Sequence, residues 1–193
     1  MLSQERFTGF RSHPNVEGSH AFLSPSNYHW LNYPEEKLIE RLSTVKAAAL
    51  GSRLHAWAAE SILLKREQPR DGDIIAAYVN DAIEYGMTPE QSLWYSIHCF
   101  GTTDAISFDP EEMFLRIHDL KTGVSKASFD QLYIYAGLFC LEYEYKPFEV
   151  QGELRIYQGH DVDWVEIDVE YLSWVYSKIR WASERIDVYT LGA

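Results

Sequence analysis

The segment Leu115-Arg116-Ile117-His118-Asp119-Leu120-Lys121-Thr122-Gly123 ends an apolar, strand-like run with a carboxylate and an ammonium two residues apart. Residues two apart on a strand share a face, so Asp119 and Lys121 would stand side by side. Upstream, Gly101-Thr102-Thr103-Asp104 puts a second carboxylate in the preceding strand-like segment. The turn Asp109-Pro110-Glu111-Glu112 could fold Asp104 back beside Asp119. Two carboxylates and a main-chain carbonyl, which Leu120 could supply, would leave Mg²⁺ its waters and room for substrate phosphate oxygens. Lys121 could then orient the attacking water and offset charge gathering on phosphorus in an in-line displacement. By itself Asp-x-Lys reads equally as a solvated strand end carrying an ordinary surface ion pair. The second carboxylate is what gives it chemical meaning.

Gln131 and Tyr135 follow four residues apart in an apolar, helix-like stretch, 128–143. They share one helical face, where both could touch one phosphate or steady Lys121, with Leu132, Ile134, Leu138 and Phe139 packing the opposite side. Considered alone, the pair reads as a solvated glutamine and a core tyrosine. His55, one turn past Gly51, could add a neutral imidazole to a site that also accepts Mn²⁺. As a lone helical histidine it is as readily structural. His118 alternates away from the Asp119 face and is set aside, and His13, His20, His29, His98 and His160 form no recognisable ligand pair.

Elements that could position these groups are legible in the periodicity. Residues 1–23 read as an irregular N-terminal arm rich in Gly, Ser, His and Asn, and 24–193 as a single domain. Leu23-Ser24-Pro25-Ser26 suggests a capped helix start, and the helix should end before Pro34. Apolar residues at helical spacing predict helices over 35–48, 52–66 and 73–85, the last closed by Gly86 with Pro89 beyond it. The pattern then turns β-rich over 93–98, 99–108 and 113–121, a three-stranded antiparallel meander. A helix over 128–143, strands at 150–157 and 162–167, and an amphipathic helix over 169–186 complete the order. The chain is α-rich first, then β-β-β-α-β-β-α.

With 193 residues, 46% hydrophobic and 15% aromatic, the chain can bury one substantial core. No run of 18 apolar residues and no secretory signal is legible, so a cytoplasmic protein without a membrane segment is expected. Cys99 and Cys140 lie in apolar segments and form no C-x-x-C pair, which suggests two buried thiols. The formal charge of -12 would repel a polyphosphate unless cations intervene or basic residues gather on one surface.

Taken together, Gly51-x-x-x-His55, Gly101-Thr-x-Asp104, Ile117-x-Asp119-Leu-Lys121-Thr-Gly and Gln131-x-x-x-Tyr135 resemble, in order and approximate gaps, the RecB-type branch of the PD-(D/E)XK nuclease superfamily. The opening His20-Ala21-Phe22-Leu23-Ser24-Pro25-Ser26, with Trp30-Leu31-Asn32-Tyr33-Pro34, looks like the start of small virus- or mobile-element-encoded nucleases of that branch. Coverage is roughly residues 20–185. The resemblance implies an α/β (α+β) fold with a restriction-endonuclease-like central mixed sheet of about five strands flanked by helices. It implies metal ligation by His55, Asp104 and Asp119, a catalytic Lys121, and support from Gln131 with Tyr135. Mg²⁺ or Mn²⁺ is the implied cofactor and DNA the substrate, often cut from free ends during recombination or repair. Several relatives carry cysteine where this chain has Tyr33 and use it for an iron–sulfur cluster, so that cluster is not expected here.

A metal-dependent exodeoxyribonuclease is the leading expectation. Its alternative is a catalytically inactive nuclease-fold protein whose acidity faces a protein partner as a binding or inhibitory module. Arg53 and Lys126, together with Lys65, Arg66, Lys178 and Arg180, are the basic candidates for guiding DNA. A homo-oligomer enclosing a basic channel, or a recombination or repair partner, would reconcile the acidity with that substrate.

Overall fold

A computed structural model describes residues 9–16, 21–42, 53–122 and 127–191. Five strands, β1 (Thr88–Ser96), β2 (Cys99–Asp109), β3 (Phe114–Lys121), β4 (Gln151–Gln158) and β5 (Asp161–Glu166), form one mixed sheet in sequence order. Only β3 and β4 run parallel. A parallel pair needs a crossover, which α4 (Asp130–Glu142) supplies. Helices α1 (Glu35–Leu42), α2 (Arg53–Leu63) and α3 (Ile74–Glu84) precede the sheet, and α5 (Val169–Leu191) closes the chain. The mixed α/β architecture expected from the sequence is the one observed.

Alternation along the strands sorts the two faces. Ile106, Leu115, Ile117, Leu154 and Ile156 join the core that includes α4 and α5, whereas Ala105, Leu120 and Tyr157 pack with α2 and α3. The crossover helix α4, strongly apolar in sequence, is buried on every side, including Gln131 and Glu142, so Gln131 is not a solvated glutamine. The reason is geometric: α4 lies between the sheet and α5. Gly137 permits that close approach, because a Cβ there would lie 2.9 Å from Ile179. On α5, Leu172, Val175, Ile179, Ala182 and Ile186 repeat at helical spacing and are all buried. Each aliphatic side chain among them contributes about 1.5–3 kcal/mol by leaving water.

Three further differences from the sequence reading concern what holds the ends. Packing starts ahead of Ser24: Leu23 is fully buried and its N–H donates to the His98 carbonyl. The Arg11 N–H donates to the Tyr143 hydroxyl, and the His13 imidazole pairs with Glu142. Residues 25–32 form a 3-10 helix that Ser24 does not cap with its side chain. Strand β1 begins at Thr88, well before the expected Leu93, with Pro89 inside it. Proline cannot donate to a ladder, but β1 is the sheet's edge, where that loss is tolerated.

Residues 43–48 of the expected first helix, and Gly51, lie outside the described residues. Cys99 and Cys140 are free and buried. No helix among the described residues is long and apolar enough to cross a membrane.

Candidate functional site

The β2–β3 ladder pairs Ala105 with His118, and one step further along the same register Asp104 faces Asp119. Directly opposed residues of an antiparallel pair project to one face. The two carboxylates therefore emerge together where the ladder ends. At that end the Leu120 N–H donates to Asp104 Oδ2 at 2.8 Å instead of to a backbone carbonyl. An extended residue aims its N–H and C=O to the same side, so the Leu120 carbonyl also faces β2.

Asp119 is 2% exposed. Lys121 Nζ lies 3.1 Å from Asp119 Oδ1 and 2.9 Å from Oδ2, but only Oδ1 is met in hydrogen-bond geometry. The second oxygen is thus a buried acceptor without a hydrogen bond. Burial first, and the Asp104 charge second, hold the Asp119 carboxyl well above the usual carboxylate range although Lys121 pulls it down. A carboxylate in that state is a ready acceptor for a cation.

Lys121 also donates to Gln131 Oε1 at 2.7 Å, so the first turn of α4 fixes the amine as well. Tyr135 stands one turn deeper and is 3% exposed. Its hydroxyl donates to the Thr102 carbonyl, bracing β2 two residues before Asp104. Tyr135 therefore braces the strand that carries Asp104, and a side-chain hydrogen bond also links it to Gln131, the residue that holds Lys121. Gly101 has a packing reason of its own: a Cβ there would sit 2.5 Å from Pro25 Cδ and 3.3 Å from Tyr135.

From α2, His55 Nδ1 approaches Asp104 Oδ1 at 3.1 Å. That hydrogen bond is the main reason the imidazole pKa is raised. A residue absent from the sequence reading joins them. Glu90 lies between the paired residues Pro89↔Ala105 and Gln91↔Thr103, hence level with Asp104. One ligand atom from each of His55, Glu90 and Asp104 lies within 4.8 Å of the others. Glu90 has φ +50°, a left-handed conformation that costs a non-glycine residue about 1–2 kcal/mol. The residue is exposed, yet its carboxyl is partly withdrawn from water, which together with Asp104 raises its pKa. The surrounding fold thus sustains a strained backbone that brings a second carboxylate to Asp104 and His55.

His55, Asp104, Asp119, Lys121, Gln131 and the Leu120 N–H therefore lie together at one end of the sheet. Arg53 opens α2, but its side chain, like all of Lys126, lies outside the described residues. Lys178 covers the Trp181 ring on α5 and is not part of this cluster. Sequence reasoning missed Glu90 because Pro89 looked like punctuation after a helix; a proline tolerated in an edge strand was the signal that could have found it.

The donor set suits a hard or borderline divalent cation. Carboxylate oxygens, a main-chain carbonyl and one imidazole match Mg²⁺ or Mn²⁺, and Asp119 Oδ2 is a buried acceptor with no hydrogen bond of its own. In comparisons with known proteins, no family model matches the chain, and no curated protein does.

Proposed function

We propose that the protein is a Mg²⁺- or Mn²⁺-dependent deoxyribonuclease of the PD-(D/E)XK type, RecB-like, that hydrolyses DNA phosphodiester bonds as an exonuclease. The observation that carries this reading is Lys121 held between Asp119 and Gln131, with Asp104 opposite Asp119 on the neighbouring strand. When bound by Asp104, Asp119, His55 and the Leu120 carbonyl, the divalent ion supplies Lewis-acid activation of water and charge neutralisation at phosphorus.

The chain's own groups prepare the rest. An ammonium has three donors, and two of those of Lys121 are engaged by Asp119 and Gln131, which leaves one for a phosphate oxygen or the attacking water. Fixing the amine in advance removes reorganisation from the reacting step, the main source of electrostatic catalysis. The Leu120 N–H and His55 hold both oxygens of Asp104. Tyr135 keeps the strand that carries Asp104 in register.

The family resemblance adds recombination or repair as the setting, with a homo-oligomer or a protein partner supplying basic surface to a chain of charge -12. That same charge is what favours a second reading, an inactive nuclease fold that binds a basic protein partner. Purified protein given linear and covalently closed DNA separates the two. The nuclease reading expects Mn²⁺-dependent loss of linear DNA that a chelator stops, with closed circles spared. Lys121→Ala should lower the rate on the order of 10²–10³-fold with the melting temperature kept. Metal-independent inertness of the wild type would leave the binding-module reading standing.

A further inference from the structure

We infer that one flank of α5 is a track for single-stranded DNA, leading along the helix from the end of the sheet where Lys121 stands. The inference deepens the nuclease reading and rests on it for the identity of the strand.

The core face of α5 is the row Leu172, Val175, Ile179, Ala182 and Ile186, all buried. Beside that row, in steps of three and four residues, come Tyr171, Trp174, Lys178, Trp181, Arg185 and Tyr189, which share one flank and are half-buried or exposed. Every one of them is aromatic or basic. A chain of charge -12 thus puts no acid at any of these positions. Glu184 and Asp187 fall on the other flank, and Glu170 precedes the run.

Aromatic rings with cations between them match the chemistry of an unpaired strand. Each base offers a flat face to a ring, and each phosphate offers a charge to an ammonium or guanidinium. In a duplex the base faces are already stacked on one another, so a row of rings selects a single strand. Core packing does not account for the row, since Trp174 is 36% exposed.

The groups are also held in place. Tyr171 stacks on Trp174 with ring centroids 5.4 Å apart and 22° between the planes, and Tyr133 meets the Tyr171 ring edge-on at 4.7 Å. Lys178 Nζ lies 4.5 Å from the centroid of the Trp181 ring, which keeps the ammonium on this flank. Arg185 meets Glu35 at 3.9 Å, too long for a hydrogen bond, so its guanidinium donors remain for a phosphate.

The track starts beside the catalytic lysine. The Tyr171 hydroxyl donates to Asp130 Oδ1 at 2.6 Å, and the next residue, Gln131, holds Lys121 at 2.7 Å. From Tyr171 to Arg185 the helix advances about 21 Å. That length takes about six nucleotides at the roughly 3.4 Å spacing of a stacked strand.

The test is fluorescence anisotropy of an end-labelled oligothymidylate of about 16 nucleotides, titrated with the full chain in chelator so that no cleavage intervenes. The single strand should bind more tightly than a duplex of equal length. Trp174→Ala should weaken the single strand about tenfold. Lys178→Gln should lower the magnitude of the slope of log affinity against log salt by about 0.7. Both side chains reach the surface, so the variants should keep the wild-type melting temperature. Wild-type affinity in both variants, tighter binding of the duplex, or binding of anionic lipid vesicles in place of the oligonucleotide overturns the track. The nuclease reading then stands if Mn²⁺-dependent loss of linear DNA persists. The tenfold loss in Trp174→Ala, alongside a wild type that cleaves nothing, would keep the track and overturn the nuclease reading.

Discussion

The sheet carries two polar clusters built partly from neighbouring residues of β3, and they handle charge in opposite ways. On the α3 side, Arg155 lies 3.4 Å from Asp81 and 3.1 Å from Glu153, while Arg116 lies 3.0 Å from Glu153. The Tyr157 hydroxyl donates to Asp81 at 2.6 Å, and both guanidinium groups lie against the Tyr85 ring. Two acids meet two arginines, and His118 in their midst is held neutral, its pKa lowered to about 3 by burial and then by both arginines. At the end of the strands, among the described residues, Asp119 pairs with Lys121 and Asp104 with His55, with the Glu90 carboxylate beside them. His118 and Asp119 are adjacent in sequence, and each cluster leaves buried polar atoms without a hydrogen bond, His118 Nε2 and Arg155 Nε in the first and Asp119 Oδ2 in the second, so what separates them is the balance of charge. A cluster that balances its own charge serves the fold. One held off balance, with strained backbone at Glu90, is where the proposed cation would bind.

That contrast can be broken by removing charge from each cluster in turn. The larger stability change belongs to the balanced one. Arg155→Leu leaves Asp81 and Glu153 without their shared guanidinium, and because Arg155 keeps a fifth of its side chain exposed the cost is about 1–3 kcal/mol. Urea unfolding monitored by circular dichroism reads it, and Mn²⁺ binding should be unchanged. The smaller change has the opposite sign. Asp119→Asn removes a carboxylate whose burial and proximity to Asp104 already disfavour its charge. In chelator at neutral pH the variant should therefore unfold no more easily than wild type, with a gain of up to about 1 kcal/mol. Saturating Mn²⁺ should stabilise wild type strongly and the variant weakly, reversing their order. If both substitutions destabilised equally, with or without metal, the distinction between the clusters would fail.

What the sequence made legible followed from period. Alternation put Asp119 with Lys121, and the turn at Asp109–Glu112 brought Asp104 back to them, because strand register leaves few other solutions. Helical spacing put Gln131 on the turn that reaches Lys121. What escaped depended on contacts that no local pattern encodes. Glu90 lay behind a proline whose meaning changes at a sheet edge. Tyr135 shares a helical face with Gln131, but α4 is covered on all sides, and that its hydroxyl also reaches the Thr102 carbonyl could not be read from helical spacing. Arg11 and His13 dock against Glu142 and Tyr143, more than a hundred residues away in the chain, which an irregular composition could not foretell.

The central claim is that Asp104 and Asp119 converge on one cation within reach of Lys121. Crystals of the full chain soaked in Mn²⁺, with diffraction collected where manganese scatters anomalously, test it most directly. The account predicts an anomalous peak bonded to carboxylate oxygens of both Asp104 and Asp119, with Lys121 Nζ beside the same coordination sphere. Anomalous density confined elsewhere, or Asp104 and Asp119 turned apart with no peak between them, would contradict it.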